Sequence, residues 1–289
     1  MKERKIETKD VFLRALQLLG ISPDAFGASI GKDRATIYRY ISGDSKIPLN
    51  VLTNLLDLVY EFGISIVDVL GIEDEDQYYY HATSVDITFP IDVHINDGHD
   101  TDFGFGFYLG ENLRQSSTWG KLGYSTNIYR FKREKFKDLK VLDFNNLKPI
   151  DWLNYVAINR HKIEPEQFPS LFKKYMKLEK GYDLIKGKIA DSFSYEVLEL
   201  LYMDRVDINQ AEYSTNIMAL GNQYCLKNPV FAVNLEADEL FRYDKTLSDY
   251  FHHYAEIIQQ KQDKKIELIL KRPPNPNFIF SKYLKDKYE

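Results

Sequence analysis

Cysteine occurs once in this 289-residue chain, at Cys225. A disulfide framework is thereby excluded, and a zinc site built on thiolates has too few ligands. No run approaches the roughly 18 consecutive apolar residues of a membrane span. The opening stretch MKERKIETKDVF has no apolar signal core. Internal repeats and low-complexity tracts are also missing. These absences lead to the expectation of a cytoplasmic protein with no membrane partner and no bound metal.

Aromatic residues are abundant: 21 Tyr, 18 Phe and 2 Trp. They suit a large packed core, and a Tyr-rich surface also suits a binding site. With 44% hydrophobic and 28% charged residues, the chain is globular rather than disordered. Its length fits about two domains.

The net charge of −5 argues against nucleic-acid binding by the chain as a whole. Residues 1–72 net zero, with nine basic and nine acidic side chains. Directly after them stands EDED, 73–76. The style of the sequence changes there, so residues 73–77 are expected to form an acidic linker between domains 1–72 and 78–289.

In the first segment, TKDVFLRALQLL (8–19) carries apolar residues at helical spacing behind Thr8. SPDAFGASIG opens with Ser22 as a cap and Pro23 at the first helical position. Gly31 permits a tight turn, and KDRATIYRYISG (32–43) starts the next helix, with Ile37 and Ile41 on one face. Two further helices follow over 48–64 and 65–72. Five short helices with a turned pair at 22–43 resemble the phage-repressor or Cro type of helix-turn-helix. Ala25, Ile30, Gly31, Thr36, Ile37, Tyr40 and Gly43 carry the resemblance. It implies an all-α DNA-binding bundle, with Arg34 and Thr36 at base edges and Lys32, Arg39 and Lys46 on phosphates. It also implies paired half-sites and hence a homodimer. The alternative is a docking module that keeps the fold and not the DNA.

After the linker, QYYYHATSVD (77–86), IYRF, KVLDF and PVFAVNL read as strands. PIDWLNYVAINRHK and FPSLFKKYMKLEK read as helices, and the C-terminal part contains another over 247–270. Irregular mixing of the two predicts an α+β domain. Within it, DTDFGFGFYLG (100–110) spends glycine on alternate positions. Read as a strand, it puts Phe103, Phe105, Phe107 and Leu109 on one face. Gly104, Gly106, Tyr108 and Gly110 share the other, a bare floor on which a flat ligand ring could stack against Tyr108. Position 109 is Leu, so no GxGxxG follows and a dinucleotide fold of the Rossmann type is not indicated.

YHATS (80–84) followed by DFGFGFYLGENLRQSSTW (102–119) resembles the ADP-ribosyltransferase superfamily, in its His-Tyr-Glu branch. A group of bacterial domains of formerly unknown function is the nearest likeness. DWLNYVAINR (151–160), GYDLIKGKIADS (181–192) and NQYCLKNPVFAVNL (222–235) extend it over about 78–243. The resemblance implies a NAD-dependent ADP-ribosyltransferase with NAD as substrate. His81 would hydrogen-bond a ribose hydroxyl, Tyr108 would stack on nicotinamide, and backbone around Ala82 and Thr83 would pair with the carboxamide. Gly104 and Gly106 would belong to the same NAD site. Gln223, at the start of the last strand, would occupy the position of the usual catalytic Glu. Glutamine can hydrogen-bond ribose but cannot act as a base. Asp102, Asp183, Asp191 and Glu212 are the candidates for a base elsewhere.

Such domains resemble toxins of toxin–antitoxin or phage-defence pairs, so an antitoxin and a protein or nucleic-acid acceptor are the partners implied. Two other functions stay open: a transcriptional regulator whose inactive second domain senses NAD or ADP-ribose, and an interaction protein. Plainer readings stand beside several sites. His81 could be a core histidine, Asn159 and Arg160 could close a helix, and Cys225 could be buried and inert. HINDGHD offers His94, Asp97, His99 and Asp100 as metal ligands, but its spacing fits a solvated turn better.

Overall fold

The structure, a computed structural model, describes residues 1–95, 100–189, 192–217 and 221–289. The strands are β1 (Lys2–Ile6), β2 (Tyr78–Thr83), β3 (Phe107–Gly110), β4 (Thr126–Lys132), β5 (Val141–Asp143), β6 (Leu184–Lys188), β7 (Asn222–Leu226) and β8 (Glu239–Tyr243). The helices before β3 are α1 (Thr8–Leu19), α2 (Pro23–Ser29), α3 (Arg34–Ser42), α4 (Leu49–Glu61) and α5 (Ile66–Leu70). Those after it are α6 (Leu113–Ser117), α7 (Pro149–Asn159), α8 (Pro169–Glu179), α9 (Ser192–Tyr202), α10 (Ile208–Ile217), α11 (Pro229–Ala232), α12 (Lys245–Leu270) and α13 (Phe280–Tyr288). The protein is of mixed α and β class, and no helix among the described residues is long and apolar enough to cross a membrane.

The chain forms two compact units. One comprises residues 1–87, 112–135 and 236–256, and the other residues 88–111, 136–235 and 257–289.

In the first unit, side-chain caps start α2, α3 and α5. Ser22 accepts the amide hydrogen of Ala25 at α2, Asp33 that of Thr36 at α3, and Ser65 that of Val67 at α5. The strands run in the order β1-β8-β4-β2. β1 lies parallel to β8, and the other two pairings are antiparallel. The sequence reading expected neither β1 nor β8; β1 is short, charged and pairs with residues more than 230 positions away.

One core unites the five helices with this half-sheet. Phe12, Phe26, Ile37, Leu52 and Leu55 from the bundle share it with Tyr80, Ile128, Phe241 and Phe251. Each such side chain contributes about 1.5–3 kcal/mol by leaving water. Residues 1–72 therefore pack as part of a larger body. Residues 73–77 are fixed as well: Glu75 begins a 3-10 turn, and its carboxylate accepts the Leu113 amide hydrogen at 2.9 Å.

In the second unit the strand order is β3-β7-β6-β5. β7 is antiparallel to both neighbours, and β5 is parallel to β6. α7 and α8 match the helices expected from the sequence, and α7 supplies Leu153, Tyr155, Val156 and Ala157 to the core. The stretch PVFAVNL is a helical turn and not the expected strand. Pro229 occupies the first helical position and Asn228 accepts the Phe231 amide hydrogen, so local capping overrides the β-branched composition.

Candidate functional site

Consider first the first unit. α3 is held against α2 where Gly27 leaves room: a Cβ there would stand 2.9 Å from Ile37 and 3.0 Å from the Lys32 carbonyl. Ile37 and Tyr40 are buried, and Lys32, Arg34, Tyr38, Arg39 and Lys46 are exposed. The Arg34 guanidinium lies 3.4 Å from Asp24 and 5.1 Å from the Tyr38 ring centre. The Thr36 hydroxyl donates to Asp33 and accepts from Arg39. The amide and hydroxyl of Thr36 hold the Asp33 carboxyl below its ordinary range. The structure thus places Lys32, Arg34 and Thr36 at the start of α3 and Arg39 in its last turn, with the Thr36 hydroxyl engaged in the cap.

Also in this unit, β2 alternates buried and half-buried residues. Tyr80 and Ala82 point into the core, and His81 and Thr83 stand on the opposite face. His81 is paired in register with Tyr129 of β4. Nearby on α6, the polar side-chain atoms of Gln115 and Ser116 are buried without partners, a feature that sequence spacing does not signal.

In the second unit, the glycine-rich stretch is not one strand. Only Phe107–Gly110 forms a strand, and residues 102–106 form a turn and a bend. Gly104 has φ +68° and Gly106 φ +148°, values that L side chains rarely adopt. A Cβ at Gly104 would meet Asn159 Oδ1 at 2.6 Å, and one at Gly106 would overlap the Cys225 sulfur. The glycines answer to a tight reversal and close packing. The bare floor over 104–110 is therefore not observed.

This reversal also moves Phe103. Its ring lies nearly parallel to that of Tyr108, 15° apart with centres 6.3 Å distant, and not on an opposite face as expected. The Tyr108 hydroxyl accepts the Phe103 amide hydrogen at 2.9 Å and donates to the Gly104 carbonyl at 2.8 Å. Burial pushes the pKa of this phenol well above its usual value. Lys227, buried at the end of β7, donates to the Phe103 carbonyl and pairs with Glu179 at 3.2 Å. Sequence reasoning singled out neither Lys227 nor Glu179.

Gln223 is the second residue of β7, and β8 follows, so it does not open the last strand. It stands opposite Gly110, and Cys225 stands opposite Tyr108. Tyr108 and Gln223 are thus diagonal neighbours on one face, a placement that typically sets Cα atoms roughly 7–8 Å apart. The Gln223 amide nitrogen donates to Asp102 Oδ2 at 2.5 Å and, more weakly, to the Lys188 carbonyl at 3.4 Å. Arg160, at the end of α7, donates to Asp102 Oδ1 from Nε at 2.8 Å and from Nη2 at 2.5 Å. Asp102 and Gln223 are each 5% exposed. These three residues are separated by 58 and 63 positions, so no spacing motif announces them.

The other candidate bases stand elsewhere. The Asp183 carboxylate accepts from the Lys140 amide at 2.9 Å and from Asn228 at 2.7 Å, pinning two loops. Burial raises the pKa of Glu212, countered by the charge of Lys188. Asp191 lies outside the described residues, as do Asp97 and His99. His94 stacks on Phe105 with ring centres 4.7 Å apart, and no metal-ligating cluster occurs among the described residues. Cys225 is fully buried.

Residues 78–236 match the sequence model of a family described as a protein of unknown function (DUF3990). That is more than half of the chain. The chain belongs to this family. The match begins at Tyr78, the first residue of β2, and spans His81, Asp102, Tyr108, Arg160 and Gln223; α3 lies outside it. No curated protein and no solved structure matches the chain.

Proposed function

We propose that this chain is a NAD-dependent mono-ADP-ribosyltransferase of the toxin–antitoxin or phage-defence kind, cytoplasmic, with a DNA-binding helix pair in its first 72 residues. The observation that carries this reading is the diagonal placement of Tyr108 and Gln223 on paired strands, with the Gln223 amide fixed by Asp102. Phe103 backs the Tyr108 ring, giving a stiff aromatic platform of the kind that nicotinamide stacks on. With its nitrogen turned to Asp102, Gln223 keeps Oε1 as the end that would accept a hydrogen bond from a ribose hydroxyl. The resemblance assigns a second ribose contact to His81.

The chemistry follows from what Gln223 lacks. The bond from ribose C1′ to nicotinamide breaks, and its electron pair leaves with the neutral ring. The oxocarbenium-like ribose is held by orientation and by hydrogen bonds. Gln223 takes no proton, so the acceptor arrives already deprotonated, as a carboxylate or phosphate oxygen. The new C1′–O bond then forms without proton transfer.

The test is nicotinamide release from NAD by the purified protein, alone and with cell extract. Release is expected in the wild type, with losses of about 100-fold or more in Tyr108→Ala and His81→Ala. Rates unchanged in both folded variants would sink the assignment. A wild type that binds NAD without releasing nicotinamide would favour the second reading, a NAD-sensing regulator. The amide at position 223 is what motivates that reading. For the DNA-binding part, Arg34→Ala is expected to weaken operator binding and to flatten its salt dependence. Equal binding by the two proteins would remove Arg34 from the interface.

A further inference from the structure

We infer that Asp102 is a positioning residue for Gln223, and that position 223 must be an amide because Asp102 is a carboxylate; this rests on the proposed NAD site. A side-chain amide has a donor end and an acceptor end. Asp102 Oδ2 accepts only, so the Gln223 nitrogen turns toward it at 2.5 Å. Arg160 holds the other oxygen of Asp102 through two donors and keeps the carboxylate in place. The Gln223 carbonyl oxygen is then the end left for a ligand, and the ligand group it selects is a hydroxyl or N–H donor. Glutamine here is one half of a matched pair, and a glutamate at 223 would not restore a general base. It would face a carboxylate in a site where both residues are 5% exposed. Two carboxylates so placed share one proton, and the pair resists full ionisation.

The experiment measures thermal unfolding from pH 5 to pH 8, and binding of ADP-ribose by calorimetry, for four proteins: wild type, Gln223→Glu, Asp102→Asn, and the double variant. ADP-ribose is the probe because it keeps the ribose hydroxyls and has no nicotinamide bond to break. In Gln223→Glu the folded pKa of the pair is raised above the unfolded value. Its stability is therefore present at low pH and lost as pH rises. The unfolding midpoint is expected to fall by at least about 5 °C more than that of wild type between pH 5 and pH 8. The double variant reverses donor and acceptor between the two positions and is expected to remove this dependence. Asp102→Asn leaves the amide free to turn and is expected to weaken ADP-ribose binding about tenfold, with recovery in the double variant.

A Gln223→Glu protein with the pH profile of wild type would overturn the pairing. ADP-ribose affinity that is equal in all four proteins would overturn the positioning role. A wild type that binds no ADP-ribose would overturn the ligand reading, and the unfolding series would still judge the pair by itself.

Discussion

The Tyr108 hydroxyl donates to the Gly104 carbonyl at 2.8 Å and so closes the turn that precedes its own strand. The same oxygen accepts the Phe103 amide hydrogen. Tyr108→Phe keeps the ring and leaves that buried amide without a partner. A loss of about 1–3 kcal/mol is expected in denaturant unfolding, with nicotinamide release retained. Release abolished in a folded Tyr108→Phe protein would show that the hydroxyl, and not the ring, does the chemistry.

Gly106 meets two constraints at once. Its φ of +148° disfavours any side chain, and an added Cβ would overlap the Cys225 sulfur. Gly106→Ala is expected to cost about 2 kcal/mol or more. Replacing Cys225 by Ala in the same protein relieves only the overlap, so a partial recovery is expected. Full recovery would mean that the backbone conformation is not strained.

Cys225 is fully buried, and burial is the main cause pushing its thiol up to about 12. At pH 8 the folded protein is expected to resist iodoacetamide, and alkylation is expected to begin only as the protein unfolds. Stoichiometric labelling under native conditions would contradict the packing around β7.

Asp151 governs part of the acid limb. Burial alone would raise its pKa, but hydrogen bonds from Lys174 and Tyr175 and the charge of Lys174 outweigh it and hold the carboxyl low. A lowered folded pKa gives stability that is present above the unfolded value and is lost as pH falls through the folded one. Asp151→Asn is therefore expected to be less stable than wild type at pH 7, with the gap closing below about pH 4. A gap independent of pH would show that the carboxylate charge is not what Lys174 and Tyr175 recognise.

Much of this protein is legible from local sequence. Thr8–Leu19 follows from periodicity, and Pro149–Asn159 and Pro169–Glu179 from periodicity and their opening prolines, because helices satisfy their hydrogen bonds within a few residues. β2 and β4 follow from alternating aromatic and β-branched residues. Local reading failed where distant partners decide the outcome. β1 is charged and exists only because β8 pairs with it. The alternating phenylalanines at 103–107 imitate a strand, but Asn159, Cys225 and Lys227 close round them and force a turn.

The candidate site divides in the same way. His81, Tyr108 and Gln223 were visible as residue types in ordered motifs. That Asp102, itself held by Arg160, fixes the Gln223 amide was not visible, because Asp102 and Gln223 stand 121 positions apart. Sequence by itself determined the long periodic helices, the lone cysteine, and the residue types that the proposed NAD site would use. Tertiary structure alone decided which way an amide points and why two glycines are required. Both are settled by atoms a few ångströms apart in space and far apart along the chain.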